Sequence, residues 1–156
     1  MQKSTEIRRA VFEDAEAIAR VLLDSFIEYK SLYVPQRYDA TVIAPDEVKE
    51  RLEEGPVWVA IVDEYIVGTV AANERDEGLY IRGMGVVPKA RGLRLGELLL
   101  REVERYAVEC GHKRMFLNTT PFLNHAIKLY EGFGFKFTDE IDERFGTPLL
   151  TMEKNL

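Results

Sequence analysis

The segment from residue 83 to residue 96 combines glycines and basic side chains in a pattern suited to anion binding. Gly83 and Gly85 interrupt an apolar run, where glycine often marks a bulge or the close approach of another backbone or a ligand. The run continues through PKARGLRLG into a long helical pattern, so a helix begins beside Arg91 and Arg94. The free amides and the dipole of a helix N-terminus attract negative charge, and both arginines add to that attraction. The segment therefore predicts a site for a diphosphate.

Two familiar nucleotide-binding patterns do not account for this site. A Walker-type loop requires G-x-x-x-x-G-K-[ST], which the sequence lacks. A dinucleotide-binding turn requires G-x-G-x-x-G, and Pro88 stands where its third glycine would follow Gly83 and Gly85. The pattern by itself is equally compatible with the basic, glycine-rich start of a surface helix.

A second cluster, NHAIKLYEGFGF over residues 124–135, predicts a short helix that ends in glycines before a strand. Ala126, Leu129 and Tyr130 share one face of that helix. Tyrosine in such a place commonly packs in the core with its hydroxyl at the rim. The cluster therefore offers one candidate proton donor, Tyr130, and an ordinary packing role as its alternative.

Together and in this order, the two clusters resemble the GCN5-related N-acetyltransferase (GNAT) superfamily. The acyl-CoA loop of that family reads [Q/R]-x-x-G-x-[G/A], and RGLRLG matches its first and last positions with Arg91 and Gly96. Arg94 replaces the middle glycine of the loop. The later family motif, N-x-x-A-x-x-x-Y-x-x-x-G-F, is matched at four positions, while its asparagine falls on Leu123, one residue before Asn124. The four matched positions are Ala126, Tyr130, Gly134 and Phe135.

The resemblance implies transfer of an acetyl group from acetyl-CoA to a primary amine by direct attack. It implies that Met84, Gly85 and Val86 pair with the pantetheine arm like an added strand, and that Asn124 also contacts the cofactor. It implies that Tyr130 acts as general acid to the CoA thiolate. The residues implied to hold the pyrophosphate through their amides are Arg91, Gly92, Leu93, Arg94, Leu95 and Gly96.

The acceptor and the general base are open at this stage. Glu28, Glu74 and Glu77 are candidate bases, although solvated surface charge explains each of them, and a water chain could serve instead. The acceptor, a small-molecule or peptide amine, is expected to contact the first helix, the segment from Tyr29 to Tyr38 and the region after Phe137. Two alternatives to catalysis on amines are a non-catalytic acyl-CoA-binding sensor or interaction module and a nucleotide-dependent enzyme.

Composition limits the class of protein. The chain has 156 residues and 27 acidic against 21 basic side chains, a net charge of −6 that argues against nucleic acid as a partner. A hydrophobic fraction of 46% excludes a disordered chain. One cysteine, Cys110, excludes an intramolecular disulfide, and its spacing from the two histidines supports no metal site. With neither a membrane-length apolar run nor a signal-peptide pattern, the sequence predicts a cytoplasmic protein without a membrane partner.

Periodicity predicts the order β-α-α-β-β-β-α-β-α-β-β in a single domain over residues 1–156. The predicted fold class is α/β (α+β), a mixed and mostly antiparallel central sheet flanked by helices, as in GNAT proteins. Residues 31–41 are predicted as an ordered loop, and the long helix is predicted from Gly92 to Glu109. An exposed strand near the C-terminus would offer a route to a homodimer, because sheet edges tend to be paired.

Overall fold

A computed structural model describes residues 4–143, 146 and 148–156 of the chain. The strands are β1 Thr5–Arg9, β2 Val57–Val62, β3 Tyr65–Arg75, β4 Gly78–Val86, β5 Arg114–Thr119, β6 Lys136–Asp142 and β7 Leu149–Asn155. The α-helices are α1 Ala15–Phe26, α2 Pro35–Thr41, α3 Pro45–Glu54, α4 Leu95–Glu109 and α5 Asn124–Gly132. Short 3₁₀ helices occupy Phe12–Asp14, Ile27–Leu32 and Pro88–Ala90.

The seven strands form one sheet in the order β1-β2-β3-β4-β5-β7-β6. Every neighbouring pair is antiparallel except β4 and β5, which run parallel. The β2–β3 hairpin turns at Asp63 and Glu64, which both have positive φ, as a type I′ turn requires. The predicted fold class is therefore confirmed, with helices on a mixed and mostly antiparallel sheet.

The two faces of the sheet bury different helices, as the alternation of side chains along β2 shows. Val57 and Val59 pack with the apolar faces of α1 and α3. Trp58 and Ala60 point the other way and pack with α4. Because successive strand residues face opposite sides, this near-continuous apolar strand needs cover on both faces. The sheet is consequently the middle of three layers.

Two irregularities in β4 open the sheet near its centre. Gly83 has φ +60, and together with Met84 it lies opposite Val70 alone, so β4 carries a bulge between its pairs with Ala71 and Thr69. Parallel pairing between β4 and β5 covers three residue pairs and ends at Ile81. Beyond Ile81, β4 and β5 diverge. The strand glycines thus mark the bulge that the sequence suggested.

The structure corrects the predicted element order in one place and one helix boundary in another. The predicted loop over residues 31–41 contains the helix α2, which Pro35 begins at a first-turn position where its missing N–H costs nothing. The long helix begins at Leu95 instead of Gly92, because Gly92 and Arg94 both have left-handed backbone conformations. The observed order is therefore β-α-α-α-β-β-β-α-β-α-β-β.

The strand expected at an exposed edge near the C-terminus is β6, which forms one margin of the sheet while β1 forms the other. Its side chains are mostly exposed, including Phe137 and Ile141. A homodimer through this edge stays a prediction. Within the part of the chain that the structure describes, no helix combines the length and apolar character needed to cross a membrane.

Candidate functional site

The divergence of β4 and β5 leaves a cavity of about 530 Å³ between β4, the start of α4 and the helix α5. Helix α1 closes it from the other side of β4. The lining residues are Ser25, Phe26, Tyr29, Met84, Gly85, Val86, Ala90, Arg91, Gly92, Arg94, Leu95, Gly96, Glu97, Leu123, His125, Ala126, Leu129 and Tyr130. We call it the donor cavity, after the acetyl donor that the resemblance leads us to expect there.

Free backbone amides lie at the start of α4, beside the donor cavity. Six successive N–H groups, those of residues 92–97, have no acceptor within the described residues. Gly92 has φ +90 and Arg94 has φ +59, so the chain turns sharply there and leaves these amides clear of the preceding strand. No described atom lies within 4 Å of a Cβ built on Gly92. Because these amides lie at the positive end of a 15-residue helix, the arrangement suits an anion.

Two glycines permit the close packing that shapes the donor cavity. A Cβ on Gly85 would lie 2.8 Å from Ser25 Oγ, so the missing side chain lets α1 approach β4. A Cβ on Gly96 would lie 2.6 Å from Leu129 Cδ2, so α5 rests directly on the first turn of α4. Gly96 therefore has a packing role as well as an amide among the six that are free.

A second cavity of about 280 Å³ adjoins the first, and we call it the acceptor cavity. Phe26, Met84, Leu123 and Tyr130 line both, so they form the junction between the two. The other residues of the acceptor cavity are Tyr33, Arg37, Ala40, Thr41, Arg51, Arg75, Tyr80, Ile81, Arg82, Gly83, Leu117, Asn118, Thr119, Thr120 and Leu149.

Tyr130 stands at this junction and is 8% exposed. The start of α5 at Asn124 sets its position, and its ring packs against Phe135 with centroids 5.9 Å apart. Burial raises the pKa of the Tyr130 hydroxyl far above its ordinary value, and the neighbouring Tyr33 raises it further. The phenol is therefore protonated at neutral pH and can donate a hydrogen bond.

Eight of the ten residues expected to bind the cofactor line the donor cavity: Met84, Gly85, Val86, Arg91, Gly92, Arg94, Leu95 and Gly96. Leu93 is 37% exposed and lies outside the lining, and so does the exposed Asn124. The position that faces both cavities is 123, where the family's asparagine would fall and this chain has leucine. The contacts of these residues with a cofactor stay a prediction.

The three candidate bases do not line either cavity. Glu28 accepts a hydrogen bond from Arg91 at 2.5 Å, and Glu74 lies 3.3 Å from His112 Nε2. Glu77 is exposed in the turn before β4. The ion-paired and solvated positions of these glutamates agree with a surface-charge role.

A short hydrogen-bonded chain lines the acceptor cavity instead. Asn118 Nδ2 donates to the Tyr80 hydroxyl at 3.0 Å, and Thr151 Oγ1 donates to Asn118 Oδ1 at 3.0 Å. The hydroxyl proton of Tyr80 is thus left to donate to a further group. Asn118 lies at the end of β5, where the parallel pairing with β4 has already stopped.

Sequence patterns missed the arginines of the acceptor cavity, which come from α2, α3, β3 and β4. They are too far apart in the chain to form a motif. The glycine in β4 was the available signal, because Gly83 makes room for the guanidinium of Arg51. Among the described residues, no group of three or more His, Cys, Asp or Glu side chains could hold a metal ion.

Comparisons with known proteins agree with this architecture. The Escherichia coli K12 protein YjgM, named an uncharacterized N-acetyltransferase, is 31% identical over 144 residues, covering 88% of this chain and 85% of its own. The uncharacterized N-acetyltransferase C1271.07c of Schizosaccharomyces pombe is 43% identical over 61 residues, 39% of this chain. The chain spans about a third of the length of this and several other curated relatives.

A solved structure with the same fold is the PaiA N-acetyltransferase of Thermoplasma acidophilum in complex with coenzyme A. It superposes with a TM-score of 0.81 at 19% identity, over 98% of this chain and 99% of that one. The sequence profile of the acetyltransferase (GNAT) family matches residues 16–135, which include both cavities' junction residues. The resemblance drawn from the two motifs is thereby confirmed, and the chain belongs to the acetyltransferase (GNAT) family of N-acetyltransferases.

Proposed function

We propose that the protein transfers the acetyl group of acetyl-CoA to a primary amine by direct attack. The amine nitrogen forms a bond to the thioester carbonyl carbon, and the carbon–sulfur bond breaks. The sulfur leaves as CoA thiol after taking a proton, and the amine loses one proton as it becomes an amide. Family membership supports the reaction class, and the paired cavities support separate places for donor and acceptor.

The donor cavity is the proposed acetyl-CoA site. The six free amides of residues 92–97 suit the diphosphate of acetyl-CoA. Together with the helix dipole, they would bind it without the help of a lysine side chain. The backbone of Met84, Gly85 and Val86 borders the same cavity after β4 has parted from β5, so its free groups can pair with the pantetheine amides. A β4 amide directed at the thioester oxygen would act as an oxyanion donor, worth about 3–4 kcal/mol in the transition state.

The position of Tyr130 at the junction of the two cavities is the observation that carries the proposal. A group there can reach the sulfur of the donor while the amine approaches from the acceptor side. The raised pKa keeps this hydroxyl protonated but makes it a weaker acid, so it donates a hydrogen bond to the sulfur as negative charge develops there and transfers its proton as the carbon–sulfur bond breaks. Tyr130 is the proposed general acid.

The acceptor must arrive as a neutral amine, although a free alkyl amine has a pKa of about 10.4. The acceptor cavity contributes to this, because the excess positive charge of its four lining arginines disfavours the ammonium form and lowers the pKa of a bound amine. The described lining of that cavity contains no Asp or Glu. We therefore propose that the amine proton leaves to water rather than to a dedicated carboxylate.

Calorimetric titration with acetyl-CoA, CoA, ATP and NAD tests the donor site, and release of CoA over a panel of amines tests turnover. Tyr130→Phe should lower kcat about 10²- to 10⁴-fold with little change in acetyl-CoA affinity, because the ring and its packing remain. Tyr106→Phe, in α4 against Trp58 and outside the lining of both cavities, is the matched control and should retain full activity. Cys110 is exposed and would react with thiol reagents, so CoA release is best measured by chromatography.

An unchanged kcat in Tyr130→Phe would remove Tyr130 from the mechanism. Tight acetyl-CoA binding without turnover over the whole panel would favour the sensor alternative. Tighter binding of ATP or NAD than of CoA would contradict the donor site. A cytoplasmic location, a single domain over residues 1–156 and the absence of nucleic-acid and membrane partners stay predictions.

A further inference from the structure

The acceptor cavity is strongly basic. Four arginines line it, and none of its described lining residues is acidic: the four are Arg37, Arg51, Arg75 and Arg82. Glu54 pairs with Arg82 from outside the lining and is itself half exposed. In a chain of net charge −6, such a concentration of positive charge in one small cavity suits an anionic ligand.

The surroundings of Arg51 in this cavity disfavour the positive charge of its guanidinium. Its Nη1 lies 2.5 Å from the place where a Cβ on Gly83 would be, so the guanidinium rests directly on the bulge of β4. Its Nη2 donates to the carbonyl oxygen of Ala40 at 3.4 Å. Burial lowers the pKa of Arg51, and the nearby charge of Arg82 lowers it further. A bound anion would relieve both the desolvation and the repulsion.

The buried polar atoms of the cavity that lack partners in the described part of the chain include Arg82 Nε and Thr119 Oγ1, and Thr119 is only 4% exposed. Buried polar groups are nearly always hydrogen-bonded, and leaving one unsatisfied is costly. A carboxylate can accept from both guanidinium and hydroxyl, which makes it the fitting partner for this set. The guanidinium of Arg75, 3.9 Å above the Tyr80 ring, adds a further cation at the same cavity.

We propose that the amine acceptor carries a carboxylate, which Arg51 and Arg82 bind while the amino group lies at the junction beside Tyr130. This inference rests on the proposed acetyl transfer and names its substrate class. Arg82 precedes Met84 by two residues in β4, so their Cα atoms are at most about 7 Å apart. That spacing suits an acceptor in which only a few bonds separate amine and carboxylate, whether a free amino acid or the N-terminus of an acidic peptide.

The test uses pairs of amines that differ in charge and little in shape. The pairs are β-alanine and β-alaninamide, aspartate and its diamide, and a tripeptide amide beginning with Asp and its counterpart beginning with Asn. We measure kcat and KM with acetyl-CoA, and separately the calorimetric binding of each amine to protein saturated with CoA. The variants are Arg51→Met, Arg82→Met and the conservative Arg51→Lys. Arg105→Met, at an exposed arginine of α4, is the control.

The carboxylated member of at least one pair should exceed its amide at least tenfold in kcat/KM. Arg51→Met and Arg82→Met should each reduce that value about 10- to 100-fold, mainly through KM, as loss of a charge-assisted hydrogen bond implies. Turnover of the amides should change little, Arg51→Lys should recover part of the loss, and Arg105→Met should match the parent. A preference for the carboxylate in the β-alanine or aspartate pair indicates a free amino acid, and a preference in the tripeptide pair indicates a peptide N-terminus.

Equal use of carboxylate and amide, unaffected by the arginine variants, would overturn this inference and leave acetyl transfer standing. Selective binding of the carboxylated amines without turnover would support the inference and overturn the proposed reaction. Failure of both turnover and selective binding would overturn both.

Discussion

Arg94 occupies a backbone conformation that suits glycine, and replacing it should separate protein stability from donor affinity. Its φ of 59° and ψ of 27° lie in the left-handed region, which costs a side-chain-bearing residue about 1–2 kcal/mol. Glycine removes that strain but adds about 0.4–1 kcal/mol of backbone freedom to the unfolded chain. Arg94→Gly should therefore raise the free energy of unfolding by about 0.5–1 kcal/mol. For a chain of this size, Tm should rise by about 1–4 °C.

The same substitution should weaken acetyl-CoA binding, because Arg94 is exposed at the mouth of the donor cavity and contributes a positive charge there. An exposed ion pair contributes about 0.2–1 kcal/mol, so the dissociation constant should rise by up to about fivefold. The difference should shrink at high salt, which screens exposed charges. Stability and affinity thus move in opposite directions at one residue.

Three variants of Arg94, compared by thermal unfolding and calorimetric titration, separate the two effects. Arg94→Asn removes the charge and tolerates the left-handed conformation, whereas Arg94→Ala removes the charge and keeps the strain. We expect Tm to fall in the order Gly, Asn, Ala, and the three dissociation constants to agree. A lower Tm for Arg94→Gly than for Arg94→Ala would refute the strain argument. Unequal affinities among the three would refute the charge argument.

Three further predictions concern packing and pH. Gly96→Val should destabilise the protein and weaken donor binding, because the new valine side chain would meet Leu129. Adding Leu129→Ala to the same chain should restore much of the Tm. If the Tm does not recover, the effect arises at the amide of residue 96 instead. Asp14 accepts hydrogen bonds from Arg8 at 2.8 and 3.0 Å, and these lower its pKa below the ordinary 3.8. Its stabilising effect is thus present above about pH 3.8 and lost as pH falls through the lower folded pKa, so the Tm deficit of Asp14→Asn at pH 7 should disappear in acid. Because the pKa of Tyr130 is raised, its hydroxyl should stay protonated between pH 7 and 9. The pH dependence of kcat over this range should therefore have the same shape in the parent protein and in Tyr130→Phe.

The motifs and periodicity predicted the family and the fold class, and eight of the ten residues expected to bind the cofactor line one cavity, because each motif is continuous in the chain. The helix α2 was missed, since seven residues with one buried side chain, Tyr38, carry too little apolar pattern to reveal a helix. The start of α4 was placed three residues early, because Leu93 and Arg94 are residue types that favour a helix while the backbone is left-handed at Gly92 and Arg94.

The acceptor side could not be predicted in the same way, because its charges converge from elements that are distant in sequence. Arg51 lies on α3 and Arg82 on β4, and they meet because the bulge at Gly83 leaves a space that a guanidinium fills. Local patterns identify the glycine but not its neighbour across the fold. The segment from Tyr29 to Tyr38 was expected at the acceptor, and Tyr33 lines that cavity while Tyr29 lines the donor cavity.

Because β4 and β5 diverge, few backbone hydrogen bonds connect the two parts of the sheet on either side of them. One half, β1 to β4, and the other, β5, β7 and β6, share only three paired residues on each strand, from Leu79 to Ile81 and from Met115 to Leu117. A donor molecule bound in the gap would contact both parts of the sheet at a place where β4 and β5 are not paired with each other. Ligand binding should accordingly slow amide hydrogen exchange in β7 and β6, strands that do not border the donor cavity. The cofactor would then add to the link between two parts of the sheet that already share one apolar core.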